Sequence, residues 1–99
     1  MAEIDRIIHA PARLRIMSAL MALPPRARLD FRTLGKSLDL TDGNLGAHLQ
    51  TLEAAGYIKV EKSFQNRKPR TDLSVTAKGR ARFEEQVEAL LEICRVPIP

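Results

Sequence analysis

Apolar positions recur at helical spacing in five segments of the chain and alternate in a sixth. Ile4, Ile7 and Ile8 predict a short first helix over 3–8, because residues three and four apart share one side of a helix. Pro11 suits the first turn of the next helix, whose broad apolar face is Leu14, Ile16, Met17, Leu20, Met21 and Leu23; Pro24 and Pro25 end it. Arg26 to Leu29 reads as a connector with at most a very short strand. Asp30 is a candidate N-cap for a helix with Phe31, Leu34 and Leu38 inward, since its carboxylate can accept from free backbone N–H groups. Thr41 is the same kind of cap for a third helix, with Asp42 in its positive first turn and Leu45, Leu49 and Leu52 as the buried stripe. Gly56 is a natural stop.

After Gly56 the period changes from helical to two. Ile58, Val60, Lys62 and Phe64 point one way, Lys59 and Glu61 the other. Gln65 to Arg70 reads as a polar turn, and Thr71 to Val75 as a return strand with Leu73 and Val75 inward. Thr76 caps a last helix to about Arg95, with Phe83, Val87, Leu90, Leu91 and Cys94 on one side. The order is helix, helix, helix, hairpin, helix. The fold class expected is mainly α with a small β-hairpin: a winged helix-turn-helix with N- and C-terminal flanking helices. Residues 1–99 make one domain, with the helix-turn-helix over about 31–55, the wing over about 57–75 and a C-terminal helix over about 77–95.

Charge sharpens this picture. Residues 57–82 hold eight basic side chains (Lys59, Lys62, Arg67, Lys68, Arg70, Lys78, Arg80, Arg82) against Glu61 and Asp72, whereas 83–99 hold four glutamates and only Arg95. A positive field concentrated in one third of the chain is the footprint of a polyanion-binding surface. A solvated basic face is the alternative when that segment is taken by itself.

The third helix is unusual on its outside. With its leucines inward, Gly43, Asn44, Ala47, Gln50, Thr51 and Ala54 lie on or near the outer face, and all are small or polar. Asn44 and Gln50 can bond adenine bidentately, and Ala47 and Thr51 can pack on a thymine methyl. Thr41 and the free N–H groups of the first turn suit a phosphate oxygen. Gly43 and Gly46 each weaken the helix by about 1 kcal/mol relative to alanine; close backbone approach to DNA explains Gly43, while Gly46 is explained as well by tight packing of a neighbouring helix. His48 sits between the two faces and reads as structural, and Tyr57 as a core residue with its hydroxyl at the surface. At the hairpin, Arg67, Lys68 and Arg70 are candidates for the minor groove; Lys59, Lys62, Lys78 and Arg80 are weaker candidates for backbone contacts.

Three stretches resemble the MarR/ArsR-like winged-helix transcriptional regulators: Ala10-Pro-Ala-Arg-Leu-Arg-Ile-Met-Ser-Ala-Leu20, the first core helix; Leu40 to Ile58, the recognition helix and strand start; and Leu73-Ser-Val-Thr-Ala-Lys-Gly-Arg80, the end of the wing and start of the last helix. The resemblance covers most of the chain. It implies a sequence-specific regulator of the small single-domain type, a homodimeric repressor that reads a palindromic operator in double-stranded DNA. Helix 42–55 would enter the major groove and the wing, 65–70, would meet the minor groove. The chain departs from metal-sensing members in lacking their cysteine pairs and His/Asp clusters, so neither metal nor cofactor is expected. It is also shorter than drug-sensing members, and its effector is unknown.

Two apolar stripes call for a partner: Ile4, Ile7 and Ile8 at the N-terminus, and Phe83, Val87, Leu90, Leu91 and Cys94 in the last helix. Burial against their symmetry mates in a C2 dimer is expected, since so small a monomer has little surface with which to cover both; closing the monomer's own core is the alternative. The single cysteine, Cys94, and the absence of a secretory pattern or a long apolar run point to a cytoplasmic protein with no membrane partner. An enzyme is not expected, for want of a paired Ser/His/Asp, a glycine-rich phosphate loop or a metal cluster. The competing reading is a winged-helix protein-interaction module with weak or no DNA binding, which has no need of Arg67, Lys68 and Arg70 together.

Overall fold

Three side-chain caps start the helices that carry the fold. In the computed structural model, which describes residues 3–95, the Thr33 N–H donates to Asp30 Oδ2 (3.1 Å), the Asn44 N–H to Thr41 Oγ1 (3.2 Å) and the Gly79 N–H to Thr76 Oγ1 (2.9 Å). Each cap satisfies a backbone donor that the first helical turn leaves open. The elements run α1 (Pro11–Met21), β1 (Leu29–Asp30), α2 (Phe31–Leu38), α3 (Asp42–Ala54), β2 (Ile58–Gln65), β3 (Lys68–Val75) and α4 (Ala77–Cys94).

Helices α2 and α3 are joined by Asp39, Leu40 and Thr41. Asp39 takes the left-handed conformation (φ 54°) and its N–H caps the end of α2, a task glycine performs more cheaply. Gly56 turns the chain out of α3 with φ 80°. The strands form one antiparallel sheet in the order β1-β3-β2. Its register sets Ile58 opposite Val75, Val60 opposite Leu73, Lys62 opposite Thr71 and Phe64 opposite Pro69. The core lies where α1, α2, α3 and the base of the sheet converge on Ile16, Met17, Leu20, Leu34, Leu45, Leu49, Leu52, Ile58 and Leu73.

The hairpin is longer and its turn tighter than the sequence suggests. Only Asn66 (φ 53°) and Arg67 (φ 64°) make the turn, the two-residue geometry that matches strand twist and needs two left-handed residues. Lys68, Pro69 and Arg70 therefore belong to β3 and not to a loop. Pro69 is tolerated because β1 pairs only with Asp72 and Leu73, which leaves the outer edge of β3 open at the proline.

The N-terminal segment is not the expected helix. It is one turn, closed by the His9 N–H on Asp5 O at 3.0 Å and stopped by Pro11 at the start of α1. Asp5 organises it: Oδ1 accepts from the Ile7 and Ile8 N–H groups, and Oδ2 accepts from the Tyr57 hydroxyl and from Arg82 Nε. Gln86 on α4 is fully buried. Its Oε1 accepts from the Asp5 N–H at 2.6 Å, and its Nε2 donates to Glu3 O at 3.0 Å. These bonds fold Ile8 fully into the monomer's core, with Ile7 and Phe83 packed against it. Ile8, expected at a dimer interface, is thus spent on the monomer's own core, while Ile7 and Phe83, expected there too, are half-buried against that core. The Tyr57 hydroxyl, expected at the surface, is buried on Asp5.

Helix α4 approaches Tyr57 so closely that a Cβ on Gly79 would stand 2.0 Å from the Tyr57 carbonyl oxygen. Beyond Ala89 every described residue of α4 is exposed, and the molecule extends to 62 × 25 × 23 Å. No helix among the described residues is long and apolar enough to cross a membrane.

Candidate nucleic-acid interface

The outer face of α3 divides into two strips. Gly43, Ala47 and Gln50 border a cleft of about 530 Å³ between α3 and the sheet, together with Gly46, Glu53, Val60, Lys62 and Thr71. At about 100° per residue, Asn44 and Thr51 lie together on an adjacent strip, turned away from the hairpin. Asn44, Ala47 and Gln50 are exposed, as are Thr41 and Gly43. The Thr51 hydroxyl donates to Ala47 O at 3.3 Å, so its methyl is the part left to face outward. Thr41 Oγ1 is used as the cap acceptor, which still leaves its O–H to donate to a phosphate.

Both glycines on this face lack a packing reason in the monomer. A Cβ built on Gly43 or on Gly46 meets nothing within 4 Å. The tight-packing explanation for Gly46 is thereby removed, and the openness faces the cleft. His48 is half-buried and accepts from Arg13, whose Nη1 stands 3.2 Å from His48 Nδ1 while Nε donates to Ile7 O at 2.6 Å. It ties α3 to α1, a structural place.

The two sides of the hairpin differ in charge balance. On one side Arg70 Nε is paired with Asp72 at 3.0 Å and its Nη1 donates to Gln65, while Glu61 holds Arg28 at 3.1 Å and Lys59 at 3.4 Å. Arg70 is thus a brace across the hairpin in the free protein. Lys62, Arg67 and Lys68 are exposed and have no ion pair among the described residues. The sequence marks Lys62 only as a weaker candidate for a backbone contact; its place in the cleft follows from the register that sets it opposite Thr71. Nothing in the local sequence marks Thr71, which lines the same cleft.

Two carboxyls are held below their ordinary value by the framework that carries the site. Burial works to raise the Asp5 carboxyl, but the bonds from Tyr57, Arg82 and the Ile7 and Ile8 N–H groups together outweigh it. The Thr33 hydroxyl and N–H lower Asp30, assisted by the charge of Arg70. Both groups are structural anchors, one for the N-terminal turn and one for α2.

This arrangement is that of a winged-helix DNA-binding domain, and the chain belongs to that family: the family's model matches residues 12–94. A relative in Methanocaldococcus jannaschii, the uncharacterized protein MJ0432, is 31% identical over 90 residues, which are 91% of this chain and 95% of the relative. The transcriptional regulator homologue of Pyrococcus horikoshii superposes with a TM-score of 0.75 at 35% identity, over 93% of this chain and 91% of that one. The MarR family regulator NMB1585 of Neisseria meningitidis shares the fold at 21% identity, with a TM-score of 0.59 over 81% of this chain and 54% of that one.

Proposed function

We propose that the protein is a cytoplasmic, homodimeric transcriptional regulator that binds a palindromic operator and represses by occupying it. The observation that carries this reading is the outer face of α3. It is small, polar and glycine-bearing, it has open space before it, and it borders a hairpin whose Lys62, Arg67 and Lys68 are unpaired among the described residues.

Asn44, Ala47, Gln50 and Thr51 read base edges in the major groove, Gly43 lets the backbone come close, and the Thr41 hydroxyl holds a phosphate. The hairpin tip, with Arg67 and Lys68, reaches the neighbouring minor groove; Arg70 stiffens it and turns to a phosphate only by releasing Asp72. With α3 in one groove and the tip in the next, the sugar-phosphate strand between the grooves must pass through the cleft. There Lys62 neutralises a phosphate and Thr71 can donate to another. Asp42 and Glu53 also line the cleft, but they stand near opposite ends of α3, with Lys62 on the strand facing it.

Dimerisation rests on α4. Val87, Leu90, Leu91 and Cys94 form an exposed stripe at helical spacing, and Ile93 and Ile4 are exposed as well. Pairing of two such stripes about a twofold axis would set two α3 helices ~34 Å apart, one turn of DNA. The whole chain then acts as a single domain that binds and does not catalyse.

Selection of bound duplexes from a random-sequence pool tests this reading. The expected result is a palindrome with half-sites about 10 base pairs apart, centre to centre. Asn44→Ala should relax one position within each half-site and leave the spacing unchanged. Recovery of no sequence by a folded protein would favour a protein-interaction module.

A further inference from the structure

Phe64 is the most exposed large apolar side chain among the described residues, 78% open to solvent. It lies opposite Pro69 in the β2–β3 ladder, next to the pair that flanks the turn. Strand alternation puts it on the side of the sheet that carries Val60 and Lys62, about 13 Å beyond Val60 along the strand. It stands beyond the cleft, near the hairpin tip, where it borders a separate open concavity with Arg26, Arg28, Arg70 and Asp72. Apart from Phe64 and Pro69, the side chains of residues 62–70 are polar or charged, and Lys62, Arg67 and Lys68 among them have no ion pair among the described residues.

That setting decides what Phe64 meets. A protein-docking patch is a contiguous apolar area; here the apolar surface is one ring and one proline, ringed by cations. Cations at the rim with an apolar centre match a nucleic-acid groove, whose edges are phosphates and whose interior offers sugar faces and stacked bases. Phenylalanine and proline are among the side chains that wedge between base steps from the minor groove. Pyrimidine–purine steps unstack most readily.

We propose that Phe64, backed by Pro69, is an apolar wedge that the wing sets into the minor groove at a deformable base step, bending the duplex and adding sequence preference outside the reach of α3. The proposal rests on the DNA-binding reading above. Phe64 touches no phosphate in this role, so it contributes to affinity without contributing to salt dependence.

The test uses the full chain and the duplex recovered by selection. The protein has no tryptophan, so Phe64→Trp introduces a single reporter at an exposed position that the fold tolerates. Its fluorescence should be quenched by stacking when the duplex is added. Phe64→Ala should weaken binding on the order of ten-fold, leave the slope against log salt unchanged, and reduce the bend measured by energy transfer between dyes at the duplex ends. Wild-type affinity and bend in Phe64→Ala, with no quenching in Phe64→Trp, overturn the wedge while Arg67→Ala still reports on the wing. Failure of the wild-type protein to bind any duplex overturns the wedge and the DNA reading together.

Discussion

The Tyr57 hydroxyl donates to Asp5 Oδ2 across 2.5 Å and joins the N-terminal turn to the residue that follows the Gly56 stop. Arg82 Nε, on α4, donates to the same oxygen at 2.9 Å. One carboxylate therefore fixes how α4 leaves the core that supports α3.

Replacing that carboxylate should loosen all three elements. Asp5→Asn removes a largely buried ion pair and is expected to cost about 2–4 kcal/mol at neutral pH. The folded carboxyl sits below its ordinary value of 3.8, as does that of Asp30. A group depressed by folding contributes its stability above its unfolded pKa and loses it as pH falls through the folded value. Denaturant midpoints should hold near neutral pH and drop in acid below about pH 4, with a shallower drop in Asp5→Asn. An equally steep drop in that variant would exclude Asp5 as an origin of acid lability.

Glycine-to-alanine substitution should act with opposite signs at two positions. At Gly46 the added Cβ meets nothing within 4 Å, so Gly46→Ala should stabilise the fold by up to about 1 kcal/mol through helix propensity. It should weaken DNA binding if the cleft must admit a strand. At Gly79 the Cβ would stand 2.0 Å from the Tyr57 carbonyl, and Gly79→Ala should destabilise by about 2–3 kcal/mol through overpacking. Melting temperatures of the two variants, with anisotropy titrations of the first, check both statements.

The exposed stripe of α4 gives the dimer a separable test. Leu91 is 58% exposed in the monomer, so Leu91→Glu should leave the monomer folded and place charge where two helices would meet. Sedimentation should show wild-type protein as a dimer and Leu91→Glu as a monomer, with DNA affinity much reduced because half-site binding loses its partner. A wild-type protein that sediments as a monomer at micromolar concentration would remove α4 from the dimer interface.

Much of this molecule was legible in the sequence, wherever one local rule decides. Asp30, Thr41 and Thr76 cap the helices they were expected to cap, and Leu45, Leu49 and Leu52 face inward because helical periodicity leaves them no alternative. The sequence is silent where a long-range polar contact decides. Ile7 and Ile8 look like an orphan stripe until Gln86, 81 residues away from Asp5, supplies the bond that seats their turn. Nor does periodicity reveal that Arg70 is tied to Asp72, since that depends on a two-residue turn made without glycine. On the α3 face the residue types were readable, but the cleft, and with it Lys62 and Thr71, exists only once the sheet register is known.

The most direct measurement is the salt dependence of binding to DNA upstream of the protein's own gene, compared between wild type and Lys62→Ala with Arg67→Ala. Each phosphate contact contributes roughly 0.9 to the slope of log affinity against log salt. The expected result is tight wild-type binding at about 50 mM salt, and a double variant that binds more weakly with a slope shallower by roughly 2 per protomer. A folded, dimeric wild-type protein that binds no DNA at that salt, or a double variant with an unchanged slope, would contradict the placement of α3 and the wing on DNA.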